Sequence, residues 1–258
     1  MARHLAGGLS DLSYSDPAGT GGSTATGSTT SSTSSGTGSA TGGAAGSTPS
    51  GIAGAGGTGG TGGSPPAPGH PPGVTADFDS GSLDTSVWAA WSDGLSTTGV
   101  EGGILFVQPA SVSGNDWAGI SNYPMFGLSN CSVWVELVQA LDSGVPGGAF
   151  FELLRDQNNE AQFFVLSGEI RFQVRTNGTD PAPQSLPYDL VAHRWLRFRE
   201  EGGSLHLETS PNGQQWTVRR TETTPTFLSQ VEVRLGGGTW DYSATPGRIE
   251  LDNVNRLP

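Results

Sequence analysis

Lysine is absent from this chain, and cysteine occurs once, at Cys131. A single cysteine excludes an intrachain disulfide and any cysteine-rich metal site; its expected role is that of a small buried hydrophobe. All twelve cationic side chains are arginine, which we read as the mark of a GC-rich, bacterial genome rather than a functional choice. Against them stand 24 acidic residues, for a net charge of −12, and this argues against nucleic acid or an anionic membrane surface as the main partner. No stretch approaches transmembrane length. The opening "MARHLAGGLSDLSYSD" has a cationic start but no apolar run of signal-peptide length. Helix-length amphipathic periodicity is also missing.

Composition divides the chain into three parts. Residues 1–17 form a short N-terminal segment with no clear signal peptide. Residues 18–73 hold no Asp, Glu, Lys or Arg and are mostly Gly, Ser, Thr and Ala, ending in the Pro-rich "SPPAPGHPPG". Such a segment cannot bury enough surface to offset the entropy of ordering it. It is predicted to be a disordered linker spanning roughly 40 Å root mean square. A tether of this kind belongs more naturally outside the cell, so an extracellular or cell-surface location is expected. Residues 74–258 suffice for one domain burying roughly 70% of its unfolded surface.

After residue 74 the hydrophobic pattern has period two, interrupted by Gly, Pro and Asn turns. Strands are predicted near 75–79, 103–108, 117–121, 131–141, 148–156, 160–166, 169–175, 193–200, 204–209, 215–222, 230–236 and 247–254. A dozen strands in one domain call for two packed antiparallel sheets, an all-β jelly-roll sandwich. In "HRWLRFREEGGSLHLETSPNGQQW" a Gly202-Gly203 turn sets Phe198 opposite Leu207, Arg199 opposite His206 and Arg197 opposite Glu208. The Arg197–Glu208 pair is expected on a solvated face, where it contributes a few tenths of a kcal/mol. Asn212-Gly213 is expected to turn a second hairpin. Arg and Glu also alternate with the apolar residues of the strands around 133, 171, 232 and 250, and would form one broad patch if those strands shared a sheet.

"FDSGSLDTSVW", "PYDLVAHRWLRFRE", "ETSPNGQQW" and "GRIELDNV", in that order, resemble the concanavalin A-like lectin/glucanase superfamily, especially its laminin-G-like and carbohydrate-binding bacterial modules. The resemblance covers residues 75–258 and implies the sandwich fold, with functions that range from lectins to glycosidases. Retaining glucanases of similar fold carry Glu-x-Asp-x-x-Glu on one strand, because alternate residues share a face and two carboxyls must flank the glycosidic bond about 5–5.5 Å apart. The nearest match here, Glu250 to Asn255, ends in a residue that cannot act as an acid; Glu152 to Asp156 and Glu232 fit no better. His193 and His206 stand near no recognisable nucleophile turn and are expected at the hairpin surface.

Carbohydrate binding asks for less: an exposed ring to stack on a sugar, and amides, carboxylates or Arg for its hydroxyls. Asn115, Asp116, Trp117, Asn122 and Tyr123 offer these in one loop, and Trp240, Asp241 and Tyr242 in another. Such modules also often hold a structural calcium where the first and last strands meet, for which Asp77, Asp79 and Asp252 are the candidates. The sequence therefore reads as a non-catalytic carbohydrate-binding or adhesion module on a flexible tether. The alternative is a structural or protein-interaction sandwich with no sugar site. A glycoside hydrolase lacking Glu-x-Asp-x-x-Glu is the third reading.

Overall fold

The computed structural model describes residues 69–256; the expected linker up to residue 68 lies outside them. Alternating apolar residues produce fourteen strands: β1 (Trp88–Ser92), β2 (Thr97–Glu101), β3 (Ile104–Gln108), β4 (Asp116–Asn122), β5 (Ser132–Gln139), β6 (Gly147–Asp156), β7 (Asn159–Leu166), β8 (Glu169–Arg175), β9 (Gln184–Pro187), β10 (Trp195–Glu201), β11 (Ser204–Ser210), β12 (Thr217–Thr223), β13 (Glu232–Thr239) and β14 (Ile249–Asp252). One 3-10 turn, Thr226–Ser229, precedes β13. The strands form two antiparallel seven-stranded sheets, ordered β1-β4-β13-β6-β7-β8-β9 and β12-β11-β10-β5-β14-β3-β2. Phe151 and Phe163 of the first sheet meet Phe198 of the second at 4.8 and 4.7 Å between ring centroids. Around them the inward residues of both sheets merge into one core.

The three strands that the periodicity missed, β1, β2 and β9, all lie at sheet edges. Edge strands are short and bury less of one face, so their alternation is weak. "TTGVE" contains a glycine and "QSLP" a proline. Conversely, residues 75–79 contribute only a single bridge, Ala76 to Val254. Gly69 already bridges Cys131, and Val74 is buried in the core. Cys131 itself is half-buried, and burial followed by the nearby Glu200 raises its thiol above the ordinary range.

The 197/208, 198/207 and 199/206 partners are those expected, and Gly202 and Gly203 both take positive φ at the turn. The solvation of that face is not as expected. Glu208 is 2% exposed and receives Arg197 Nε at 2.5 Å and Arg199 Nη2 at 2.8 Å, while Trp216 lies under the Arg197 guanidinium at 4.0 Å. A buried charge of this kind has to be paired. Asn212 does not form a two-residue turn, since six residues' worth of loop separates Ser210 from Thr217; instead its Oδ1 accepts the N–H groups of Gln214 and Gln215. His193 is also buried, and its Nδ1 accepts the Asp189 N–H at 3.1 Å. Nor do the Arg- and Glu-rich strands share one sheet. β8 and β13 fall in the first, β5, β10 and β14 in the second, so their polar residues form two patches on opposite outer faces.

Arg220 closes the sandwich at one side. It extends from β12 of the second sheet to the first, donating to Asp180 Oδ1 and Oδ2 at 2.8 Å each and to the Phe172 carbonyl at 2.7 Å. Burial raises the Asp180 carboxyl, but Arg220 and the N–H groups of Val174 and Ala182 outweigh it and hold it below its ordinary value. Replacing Arg220 with Leu leaves Asp180 unpaired, and an unfolding titration should show a loss of about 3–5 kcal/mol. Because the Asp180 pKa is depressed, its share of that stability is present above about pH 4 and disappears as acid protonates it. The gap between wild type and variant should therefore narrow at low pH.

Candidate functional site

The outer face of the first sheet carries residues that the core does not need. Strand register sets Arg234 of β13, Glu152 of β6, Gln162 of β7 and Gln173 of β8 in one row. Glu232, Leu154, Glu160 and Arg175 form the next. Glu152 and Glu160 are therefore diagonal neighbours on adjacent strands, with Cβ atoms about 7 Å apart by the geometry of such pairs. The single-strand search could not find them, because the arrangement draws one carboxylate from each of two strands. The signal was present as Glu152 between Phe151 and Leu153, and as Glu160 and Gln162 around Ala161.

Both carboxylates are buried. Gln162 Nε2 donates to Glu152 Oε2 at 3.0 Å, and Arg234 Nη1 approaches Glu152 Oε1 at 3.1 Å as an ion pair without hydrogen-bond geometry. Arg175 Nη1 lies 3.2 Å from Glu160 Oε1. Burial raises the Glu152 carboxyl, with Arg234, Gln162 and Arg175 opposing it. Glu160 is pushed up to about 7, first by burial and then by the charge of Glu152. Glu232 is raised as well, by burial and by Glu152, against the pull of Arg234. Two neighbouring buried carboxyls, one protonated beside one ionised, can act as an acid and a base or nucleophile.

On one side of this charged belt lies an aromatic one. Trp117, Phe150, Phe164 and Leu166 form a separate buried cluster, with Trp91 and Trp240 packed against it. Trp117 stacks with Trp240 at 6.4 Å, and Trp91 with Phe150 at 6.1 Å. Glycines make the space. Phe150 crosses Gly236, where an added Cβ would sit 2.7 Å from the ring, and Phe164 crosses Gly148 at 2.8 Å. The indole N–H groups of Trp91 and Trp117 are buried without a hydrogen-bond partner, and Glu152 Oε1 has only its ion pair with Arg234. At the other end of the belt is a depression of about 620 Å³ lined by Met125, Leu154, Asn158, Asn177 and Glu232 among others.

The structure joins some of the sequence-derived site residues and separates others. Trp117 and Trp240 meet on this face. Asp116 serves the backbone, accepting from the N–H groups of Leu95 and Ser96, and Asn122 accepts from Val233 N–H. Asn115, Asp241, Tyr123 and Tyr242 are exposed, and Tyr123 is at the opposite end of β4 from Trp117. Glu250 and Asp252 are on β14, in the other sheet. The chain ends do pair, as Ala76 with Val254, and Asp252 is raised to about 6 by burial, Glu136, Asp79 and Asp77. Asp77, however, is bound to Arg256 at 2.9 Å, and among the described residues no group of three His, Cys, Asp or Glu is placed to hold a metal ion. No helix among them is long and apolar enough to cross a membrane.

The architecture is an antiparallel jelly-roll β-sandwich. Similar solved structures include the catalytic domain of an endo-1,3-β-glucanase (laminarinase) from Thermotoga petrophila, with a TM-score of 0.54 and 9% identity over 70% of this chain and 94% of that one. A Bacillus licheniformis β-glucanase matches with a TM-score of 0.52 and 15% identity over 70% and 95%. The Crh5 transglycosylase matches with a TM-score of 0.54 and 18% identity over 74% and 86%. No protein-family model and no curated protein sequence matches the chain. These neighbours correct the expectation of a non-catalytic carbohydrate-binding or adhesion module, and with it the expectation that the protein is not an enzyme: they are glycan-cleaving and glycan-transferring enzymes. Of the sequence readings, the third, a glycoside hydrolase without the single-strand motif, is the one these neighbours favour.

Because the folded Glu160 pKa lies above the unfolded value of about 4.5, its contribution to stability is present at acid pH and is lost as pH rises through about 7. Glu160→Gln should remove that loss. Thermal unfolding of both proteins from acid to alkaline pH should show the variant more stable above neutrality by roughly 1–3 kcal/mol and no advantage below about pH 4.5.

Proposed function

We propose that this chain is a glycoside hydrolase or transglycosylase acting on a neutral β-glucan-type polysaccharide across the outer face of the first sheet. The observation that carries the reading is the diagonal Glu152–Glu160 pair, with Glu160 pushed up to about 7 by burial and then by the charge of Glu152, set beside a belt of aromatic rings. Glu160 holds a proton near neutral pH and gives it to the glycosidic oxygen as the bond to the anomeric carbon breaks. Glu152 is assigned as the anion that faces the developing oxocarbenium charge: burial raises its carboxyl, and the Arg234 ion pair and the Gln162 donor are what work to keep it ionised. It either attacks the anomeric carbon or directs a water to it. Proton and electron pair balance: the leaving sugar takes the proton from Glu160, and water or an acceptor hydroxyl returns one when it adds.

The half-buried rings of Trp91 and Trp240, packed on the buried Trp117, supply the surface on which sugar rings stack. A net charge of −12 favours an uncharged polymer over a uronate or sulfated one. Polymers of this kind lie outside the cell or at its surface, and we place the protein's work there.

The test is incubation of the full chain with soluble and particulate β-1,3- and mixed-linkage glucans, with and without oligosaccharide acceptors, following new reducing ends and lengthened products. Glu152→Gln and Glu160→Gln should each lower kcat by roughly 100-fold or more while the fold is kept. The anomer formed first, read by NMR, separates direct attack by Glu152 from water-mediated displacement. Full activity in both variants would remove the pair from the reaction.

A further inference from the structure

Arg234 occupies a position that neither the core nor the sheet ladder requires. Its guanidinium lies over the Trp91 ring at 4.2 Å and near Phe150 at 6.0 Å, with only 12% of the side chain exposed. Its Nη1 is 3.1 Å from Glu152 Oε1 and its Nε 3.9 Å from Glu232 Oε1. The ring and the two carboxylates fix it from three strands at once. A planar cation stacked in this way is pre-organised, which a lysine ammonium on a flexible stem is not.

Building on the hydrolase reading above, we propose that Arg234 is a positioning residue for the reaction, clamped on Trp91 so that Glu152 stays the charged and aimed member of the carboxylate pair. The charged groups facing this cluster enter the balance, and Asp156 at the end of β6 adds its charge against Glu160. Glu232 comes from β13 itself, Glu152 from β6, Glu160 from β7 and Arg175 from β8, and Asp93 from the turn after β1 also feels the Arg234 charge. Carboxylates outnumber guanidiniums in that set. Removing one of the two cations therefore leaves Glu152 and Glu160 competing for the field of Arg175 alone. The arrangement also explains the place of Trp91: its ring carries the cation rather than the core, which ends at the other face of the sheet.

The experiment is a carboxyl-carbon NMR titration of the full chain, wild type against Arg234→Met and Arg234→Lys, combined with kinetics on whichever glucan is turned over. The Met variant should raise the Glu152 midpoint by about one to three pH units, move the acidic limb of the pH–rate profile with it, and lower kcat roughly 100-fold with KM little changed. The Lys variant should return most of the midpoint and only part of kcat, since it restores the charge without the stacked plane. Where the Met variant does not fold, Arg234→Gln, which keeps a donor and drops the charge, answers the same question. An active wild type whose Glu152 midpoint is unmoved in the folded neutral variant overturns the proposal and leaves the hydrolase reading standing. An inactive wild type in which the midpoint moves as expected overturns the hydrolase reading, while the Arg234–Glu152 coupling stands.

Discussion

Buried carboxylates need counter-charges or donors, and much of this structure follows from how that need is met. Glu136, Glu152, Glu160 and Glu208 are all buried, and each faces a guanidinium: Arg194, Arg234, Arg175, and Arg197 with Arg199. Asp116 is satisfied by backbone N–H groups, and Glu200 by those of Asn130 and Gly203 with the Thr224 hydroxyl. Arginine suits this better than lysine, because its fork spans two acceptors and its plane rests on a ring. The absence of lysine, read from the sequence as a genomic habit, thus coincides with a fold that uses the geometry of guanidinium repeatedly.

A sandwich of two sheets has one shared interior, but here both outer faces are also partly covered. On the second sheet the coverage resolves into a paired network around Glu208, with Trp216 as its lid over Arg197. On the first it does not resolve so completely. Two indole N–H groups there lack hydrogen-bond partners, Glu152 Oε1 has only its ion pair with Arg234, and one acid is held near neutrality. A pair of buried carboxyls, one of them raised to near neutrality, is the physical basis for assigning the chemistry to the first sheet.

Much of the fold was legible because period two is a local signal. Leu196, Phe198, Leu205 and Leu207 announce their faces within a few residues, and the Gly202-Gly203 turn fixes their register. Strands β1, β2 and β9 were hidden because an edge position relaxes the alternation that reveals a strand. The site was harder for a different reason. Which strands lie side by side is decided by the whole topology, and Arg234 meets Glu152 across 82 positions of sequence. Trp117 and Trp240 were picked out as sugar-stacking rings, but from two separate loops; only strand order shows that they share a face with Phe150. Within its own strand Glu152 finds no second carboxylate at the required spacing, and Glu160, its partner, stands on the next strand.

The order in which the chain is made bears on that same pairing. β6 and β7 form a hairpin, so the two acids come together from neighbouring stretches of sequence, as local contacts do. Their counter-charge from β13 arrives only when the chain has grown past residue 234 and a strand has inserted between β4 and β6. Until then Glu152 must stay solvated or protonated, since its guanidinium is missing, whereas Glu160 can already meet Arg175 on β8. Closure of the sheet and assembly of the charged belt are consequently one event, so a nascent or truncated chain ending before β13 would carry both acids without the guanidinium that completes the belt.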